Sequence, residues 1–415
     1  MTTLKIRSNI QKDCEITFKK FDLKNIYTFL LMGCCCGVPK ADNSSSPNWL
    51  PKQKDKTNKY QNSSRSSSNL CQLRLKKKIY NDPSNYNEEE EINQSPKYYS
   101  FKQYFDEVSN PTVNGYRFLN LIGNGAMSSV YLCETDDEKY ASKVYCFAHL
   151  CKPTLGGEEP GYVGVNREIE IMSKMTFLYL LSIVDAFDDF DTNSRFLIFP
   201  FAENGNVQSL LEKKELSDQM ICLCFHQTAV ALAYMHSLNI VHRDIKPENI
   251  LCFSEDYFVL SDFSVSAELT DDDQLFEDTK GSPAFLSPEE ISGDPYSPKP
   301  SDVWAYGISL YQAAFGNLPY NLDEANNRSI ANTIIIVSQL IETTKLTFPN
   351  KTVNGNKPDQ NLIKLLTKIL DKNPKNRPSF DDIQKHPYFK QVAEITNAQI
   401  EEEKMLAEQE NSEVP

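Results

Sequence analysis

The sequence predicts an α+β fold, because a β-rich stretch in the middle of the chain is followed by a longer helix-rich stretch. From Tyr116, short runs such as YRFLNLIGNG alternate apolar and small residues around glycines, which is typical of strands joined by tight turns. Helical periodicity appears in REIEIMSKM (167–175) and in the mostly apolar segment 218–239. Between the strands and the first helix, CKPTLGGEEPGYVGVN (151–166) carries Gly and Pro and predicts a loop.

Composition divides the 415 residues into three parts. Residues 1–110 are rich in Asn, Ser and Lys and are predicted to form a disordered tail. Residues 116–389 carry the strand and helix patterns of a folded domain. Residues 390–415, of which 391–415 hold seven acidic side chains and one lysine, are predicted to form an acidic tail that is either helical or disordered.

The charge is distributed unevenly and excludes one class of partner. Residues 1–110 carry 18 Lys and Arg against 12 Asp and Glu. The remainder of the chain carries 25 against 45, and the net charge of the whole chain is −14. An acidic folded domain is not expected to bind nucleic acid and suits basic peptides.

The eleven cysteines show no zinc-like spacing and are interpreted as free thiols of a cytoplasmic protein. No apolar run reaches the ~18 residues that a membrane-spanning helix needs.

The tail contains one possible membrane signal, MGCCCGVPK at 32–40. If the chain begins at Met32 rather than Met1, Gly33 could be myristoylated and the adjacent cysteines, Cys34, Cys35 and Cys36, could be palmitoylated. Lysines at 52–59 and 76–78 could add attraction to anionic lipid. The alternative is an ordinary cysteine run in a disordered tail.

The most informative string is VHRDIKPENIL at 241–251. It offers a carboxylate at Asp244, a cation at Lys246 and a carboxamide at Asn249, within a short polar loop between apolar segments. Phosphoryl transfer needs an acceptor for the nucleophile's proton, a positive charge at the phosphate and a metal ligand. The three residue types therefore point to that chemistry.

This string, together with GNGAMSSV (123–130), YASKVY (140–145) and SDFSVS (261–266), resembles the motifs of eukaryotic protein kinases. The resemblance covers about 116–389 and implies a two-lobed protein-kinase fold. A small β-rich lobe with helix C would span 116–201, and a larger helical lobe would span 202–389. ATP and Mg²⁺ are the implied cofactors, and proteins with Ser or Thr acceptors are the implied substrates.

The resemblance assigns roles residue by residue. Lys143 would contact the α- and β-phosphates and be held by Glu168, with Glu170 as the alternative partner. Asp244 would accept the hydroxyl proton and Lys246 would stabilise the γ-phosphate, while Asn249 and Asp262 would bind the metal. The remaining residues implied for nucleotide binding are Ile122, Gly123, Gly125, Val130, Ala141, Phe199 (the gatekeeper) and Ala202.

The segment after Asp262 resembles an activation loop, in which Thr279 holds the position of an activating phosphosite. Its phosphate could pair with Arg243. The alternative is that Glu277 or Asp278 already supplies the negative charge, which would make phosphorylation unnecessary. Three further residues have implied structural roles, namely a pair between Glu289 and Arg377 and the anchoring of the catalytic loop by Asp302.

Two departures leave a second interpretation open. Ser128 and Ser264 stand where the family has glycine, so a pseudokinase that binds nucleotide as a scaffold is the alternative. Within the family, GSPAFLSPEE (281–290) and ILDKNPKNRP (369–378) look most like the calcium/calmodulin-dependent protein kinase kinases and related upstream kinases of the AMP-activated kinase. The acidic end of the chain argues against calmodulin binding, which requires a basic amphipathic helix.

Overall fold

The structure is a computed structural model that describes residues 98–412 except 126, 136–137, 152–159 and 323–327. The candidate lipidation residues Gly33, Cys34, Cys35 and Cys36 and the lysine clusters lie outside the described residues. None of the described helices is both long enough and apolar enough to cross a membrane.

A six-stranded antiparallel sheet forms the small lobe, with the order β1-β2-β3-β4-β6-β5. Asn114 and Gly115 join the first two strands, and both have the positive φ that a two-residue hairpin turn requires. The strands are β1 Thr112–Val113, β2 Tyr116–Asn124, β3 Ser128–Thr135, β4 Glu138–Cys146, β5 Asp185–Asp189 and β6 Ser194–Pro200.

Helix α1 (Phe101–Glu107) covers the outer face of this sheet and corrects the prediction of a disordered tail over 1–110 for residues 98–110. Phe101 is 1% exposed, and its ring lies 4.5 Å from that of Phe118 and 5.1 Å from that of Phe196, between ring centroids. Ser100 caps the helix by accepting a hydrogen bond from the backbone of Gln103. The composition of 1–110 does not indicate this helix, because FKQYF is a short apolar pattern at the end of a long polar stretch.

Two helices lie between β4 and β5 in the chain, α2 (Phe147–Leu150) and α3 (Gly161–Lys174). Helix α3 begins six residues before the predicted helix, so the loop expected over 151–166 is wrong for residues 161–166. Glycines at 161 and 164 lowered the helical prediction there, but burial of Val165 at 6% exposure secures the first turns. The side chain of Glu168 faces the sheet from the middle of this helix and is 2% exposed.

The large lobe is helical and is built around two buried helices, α5 and α7. The helices are α4 Val207–Lys213, α5 Asp218–Ser237, α6 Pro288–Ile291, α7 Pro298–Phe315, α8 Ile330–Thr343, α9 Gln360–Ile369, α10 Phe380–Ile383 and α11 Ala393–Ser412. The short strands that frame the catalytic loop are β7 Ile240–Val241, β8 Ile250–Ser254, β9 Tyr257–Leu260 and β10 Ala267–Glu268. β8 pairs with β9, and β7 pairs with β10.

The described part of the chain closes with helix α11 (Ala393–Ser412), so the acidic tail predicted over 390–415 is helical over these residues. Its first turns pack on the large lobe through polar contacts. The hydroxyl of Thr396 lies 2.8 Å from Nδ1 of His226, and the hydroxyl of Tyr179 donates to Oε1 of Gln399 at 2.9 Å. His226 is 2% exposed in α5 and is a packed core residue, and its burial lowers the pKa of the imidazole.

Candidate active site

An ion pair between Lys143 and Glu168 connects the sheet to helix α3. Nζ of Lys143 on β4 lies 2.8 Å from Oε1 of Glu168. The alternative partner, Glu170, has a side chain that is 66% exposed and pairs with Lys174. The strand places Lys143 on the face of the sheet that α3 covers, so Glu168 is the acidic residue of this helix that reaches it.

Lys143 also approaches the large lobe, because its Nζ lies 3.2 Å from Oδ1 of Asp262. Burial opposes the charge of the lysine, yet Glu168 and Asp262 raise its pKa well above the ordinary value. Burial likewise raises the pKa of Asp262, but Lys143 and a hydrogen bond from Ser264 outweigh it and hold that pKa below its usual range. Both groups are therefore charged at neutral pH.

Tyr145 belongs to the same cluster and was missed by the sequence reasoning. Its hydroxyl donates to Oε2 of Glu168 at 3.0 Å. The available signal was its position two residues after Lys143, because residues i and i+2 of a strand share a face.

Three donor groups meet at Asp244, two from the catalytic loop and one from the activation segment. Oδ1 of Asp244 accepts a hydrogen bond from the backbone N–H of Ser282 at 2.9 Å, and Oδ2 accepts one from Nζ of Lys246 at 2.7 Å. Nδ2 of Asn249 donates to the carbonyl oxygen of Asp244 at 2.8 Å. Nζ of Lys246 also contacts Oγ of Ser282 at 2.7 Å. The predicted catalytic residues of the loop thus lie side by side.

Asp302, at the start of the buried helix α7, fixes the backbone of this loop. Its two carboxylate oxygens accept hydrogen bonds from the backbone N–H groups of His242 and Arg243 at 2.9 and 2.8 Å. His236 contacts the same carboxylate at 2.9 Å. Burial opposes ionisation of Asp302, but the hydrogen bond and charge of His236 lower its pKa below the usual value. Arg243 adopts a left-handed φ of 69°, which these hydrogen bonds hold in place.

The predicted nucleotide-binding residues line three adjacent strands and the end of a fourth. Val130 on β3 pairs with Gly123 on β2 and with Lys143 on β4. A hydrogen bond of 2.8 Å from the N–H of Gly125 to the carbonyl oxygen of Ser128 closes the turn between β2 and β3. Ile122 is 42% exposed on β2, and the remaining apolar members are Ala141 on β4, Phe199 on β6 and Ala202 just after β6.

The candidate metal ligands offer the right donor atoms for a hard cation. Asp262 supplies a carboxylate and Asn249 a carboxamide oxygen, and the hydrogen bonds of Asn249 to Asp244 use its nitrogen. Asp262 has a left-handed φ of 62°, whereas Ser264 lies outside that region of φ. Serine therefore meets no φ strain where the family has glycine, and the arrangement of Asp262 does not depend on a glycine there.

The activation segment places a carboxylate on Arg243. Nη2 of Arg243 lies 2.7 Å from Oδ1 of Asp278, and the guanidinium is 4.6 Å from the centroid of the Phe276 ring. Thr279, the predicted phosphosite, donates its hydroxyl to the carbonyl oxygen of Glu290 at 3.1 Å. The structure thus brings Asp278 rather than Thr279 to the arginine.

The predicted pair between Glu289 and Arg377 is also present. Nη1 and Nη2 of Arg377 lie 2.6 and 2.8 Å from the carboxylate oxygens of Glu289. The arginine side chain is 1% exposed and also donates to the carbonyl oxygens of Pro300 and Asp371. This network joins the end of the activation segment to the region between α9 and α10.

Comparison with known proteins agrees with this arrangement. The protein kinase domain profile matches residues 116–389. A probable serine/threonine-protein kinase of Dictyostelium discoideum is 31% identical over 66% of this chain and 38% of its own length. A calcium/calmodulin-dependent protein kinase kinase of Caenorhabditis elegans is 28% identical over 66% of this chain and 52% of its own length. The serine/threonine-protein kinase GRIK1 of Arabidopsis thaliana is 26% identical over 68% and 69%. The chain thus spans less than two thirds of the first two relatives.

Proposed function

The chain belongs to the protein kinase family, and from this premise we propose that it is a serine/threonine kinase that transfers the γ-phosphate of ATP to Ser and Thr hydroxyls of protein substrates. The observation that carries the proposal is the convergence of the ion pair Lys143–Glu168, of Asp262 beside that lysine and of Asp244 beside Lys246. Each of these side chains carries a charge that phosphoryl transfer requires.

Each residue of the site has a separate role, which follows from its position. Lys143, held by Glu168, would bind the α- and β-phosphates, and Asp262 and Asn249 would hold Mg²⁺. When bound, the ion would neutralise charge on the phosphates. Asp244 would orient the substrate hydroxyl and accept its proton at the carboxylate, since Oδ1 and Oδ2 are already directed by Ser282 and Lys246. Lys246 would stabilise negative charge on the γ-phosphate.

Preference for Ser and Thr follows from the same loop. Lys246, two residues after the catalytic aspartate, is the pattern of serine/threonine kinases, and it contacts Ser282 at the position expected beside the acceptor residue. The acidic character of residues 111–415 suits substrates with basic side chains around that acceptor.

The alternative, a pseudokinase scaffold, rests on Ser128 and Ser264. Neither removes a charged group, and Ser264 lies outside the left-handed region of φ. The site keeps its ion pairs, so a kinase is a simpler explanation of it than a scaffold.

The place of the enzyme in a cascade is the finer part of the proposal. One relative is named as a kinase that acts on another kinase, which supports an upstream role. Calmodulin control is not proposed, because α11 is predominantly acidic rather than basic.

For the N-terminal tail, we propose association with a cytoplasmic membrane surface through acylation of Gly33 and Cys34–Cys36 if translation begins at Met32. Mass spectrometry of the mature N-terminus tests this, and a chain that begins at Met1 without lipid would refute it.

Phosphate transfer from γ-labelled ATP with Mg²⁺ tests the catalytic proposal. Wild type, Asp244→Asn and Asp262→Asn are compared on basic Ser- and Thr-containing peptides. The wild type is expected to label them and both variants to lose at least ~100-fold in rate. Asp381→Asn is the matched surface control, because Asp381 is exposed on α10, away from the catalytic loop. A folded wild type that binds nucleotide without labelling any peptide would favour the scaffold.

A further inference from the structure

We propose that Tyr145 is a positioning residue for phosphoryl transfer, which fixes Glu168 in the orientation that holds Lys143. The inference rests on the proposed kinase function of the same site. It concerns a residue to which the motif resemblance assigns no role, and its basis is one hydrogen bond, its burial and the face of the strand from which it comes.

The first step is the strand. Lys143 and Tyr145 are two residues apart on β4, so their side chains leave the same face of the sheet. Tyr145 packs in the core cluster that includes Ile171 of α3, whereas Val144 packs in the cluster on the other face with Phe101. The sheet therefore presents the lysine and the tyrosine together to helix α3.

The second step is the carboxylate of Glu168, both of whose oxygens are engaged. Oε1 accepts from Nζ of Lys143 at 2.8 Å, and Oε2 accepts from the hydroxyl of Tyr145 at 3.0 Å. A carboxylate held at one oxygen can still turn about its terminal torsion, whereas two donors on neighbouring positions of one rigid strand define its plane. The tyrosine thereby sets the direction in which Glu168 meets the lysine.

The third step is burial. Glu168 is 2% exposed and Tyr145 is 3% exposed, so water cannot replace the tyrosine hydroxyl freely. Without that hydroxyl, one oxygen of a buried carboxylate would lose its donor, which is costly in the arrangement where α3 lies against β4. Burial and the charge of Glu168 raise the pKa of Tyr145, so the hydroxyl keeps its proton and remains a donor.

The fourth step concerns helix α3 as a whole. At its C-terminal end, Lys174 pairs with Glu268 of β10 at 2.5 Å, which ties the helix to the activation segment. Tyr145 provides the corresponding tie to the sheet. A helix that moves away from β4 loses the contact of Tyr145 with Glu168, so the hydroxyl shifts the population of α3 toward the arrangement that positions Lys143.

The variant Tyr145→Phe removes only the hydroxyl. We expect kcat to fall about tenfold while KM for the peptide is unchanged, because the peptide is held by the loop of Asp244 and the activation segment. Tyr140→Phe is the matched control, since Tyr140 lies on the same strand but packs in the opposite cluster, where its hydroxyl binds Glu138. This control is expected to keep wild-type kcat.

A double-mutant cycle separates positioning from general packing. If Tyr145 acts through Glu168, Tyr145→Phe will lower kcat much less in a Glu168→Gln background than in the wild type. An equal loss in both backgrounds, a Tyr145→Phe enzyme with wild-type kcat or a Tyr145→Phe chain that does not fold would each overturn the proposal. Affinity for a fluorescent ATP analogue is measured in parallel. If the wild type binds the analogue but transfers no phosphate, the kinase proposal itself has failed, and with it this one.

Discussion

The guanidinium of Arg243 and the carboxylate of Asp278 form an ion pair 2.7 Å apart, and the arginine immediately precedes Asp244 in the chain. The arginine side chain is 5% exposed and the aspartate is 49% exposed. Burial opposes ionisation of Asp278, but hydrogen bonding to Arg243 lowers its pKa below the usual value. An acidic side chain encoded in the sequence thus pairs with the arginine, which agrees with the alternative in which Asp278, rather than a phosphate on Thr279, supplies the negative charge.

We expect Asp278→Asn to lower the rate of peptide phosphorylation about tenfold, because it removes the charge that orders the activation segment on Arg243. The measurement uses enzyme treated with phosphatase and freshly repurified, so that no phosphate can take the place of the carboxylate. Thr279→Val is the companion variant and should retain near wild-type activity. An inactive Thr279→Val beside an active Asp278→Asn would instead support control by phosphorylation of Thr279.

Glu290 predicts a specific dependence of stability on pH. Burial raises its pKa from 4.5 to about 7, although Arg243 and a hydrogen bond from Tyr296 act in the opposite direction. The folded protein therefore binds this proton more tightly than the unfolded chain, so this group's contribution to folding stability falls as pH rises from about 4.5 to 7. The total loss is about 3 kcal/mol.

The variant Glu290→Gln removes the titrating group while keeping its shape. We expect it to melt at a higher temperature than wild type at pH 8 and near the wild-type temperature at pH 5, as measured by differential scanning calorimetry. Asp271, an exposed acid of the activation segment, provides a control through Asp271→Asn. Parallel melting curves for wild type and Glu290→Gln between pH 5 and 8 would contradict the assignment.

The convergence of the candidate catalytic residues could be predicted from sequence, because phosphoryl transfer constrains residue types at fixed spacing. Lys143, Asp244, Lys246, Asn249 and Asp262 were named from short strings, and folding brings them into two adjoining clusters. Such residues are specified by the reaction, which a local motif records completely.

The residues that sequence reasoning missed are specified by packing. The spacing in YASKVY places Tyr145 on the same face as Lys143, but the contact of its hydroxyl with Glu168 also depends on how closely α3 approaches the sheet. The partner of Arg243 could not be chosen for the same reason. Two acids and a threonine lie within three positions, and only the path of the segment decides that Asp278 reaches it.

The first helix yields a prediction about where the folded domain begins. Phe101 is surrounded by the rings of Phe118, Tyr131 and Phe196, with centroids 4.5 to 5.1 Å away. We expect Phe101→Ala to lower the free energy of unfolding by about 3–5 kcal/mol, through lost burial and the cavity left behind. Tyr99→Ala is the matched control, because Tyr99 is 71% exposed two residues earlier. Urea denaturation measures both, and equal effects would show that α1 is not part of the small-lobe core.

Substitution within the pair of Arg377 and Glu289 should destabilise the large lobe more than most other substitutions there. Arg377 is held by both oxygens of Glu289 and stacks 5.0 Å from the centroid of the Trp304 ring. Arg377→Ala would leave the largely buried carboxylate of Glu289 without its charged partner, so we expect a loss of about 3–5 kcal/mol in the free energy of unfolding.

The exposed pair of Lys404 and Glu401 is the matched comparison, since both side chains are about 60% exposed on α11. Lys404→Ala should cost less than about 0.5 kcal/mol, because exposed ion pairs gain little over hydration. Tryptophan fluorescence during urea unfolding reports on the large lobe, where Trp304 is buried beside Arg377. If Arg377→Ala unfolds at the same urea concentration as Lys404→Ala, the buried pair does not stabilise the lobe. Its proximity to the activation segment would then have to be tested through activity alone.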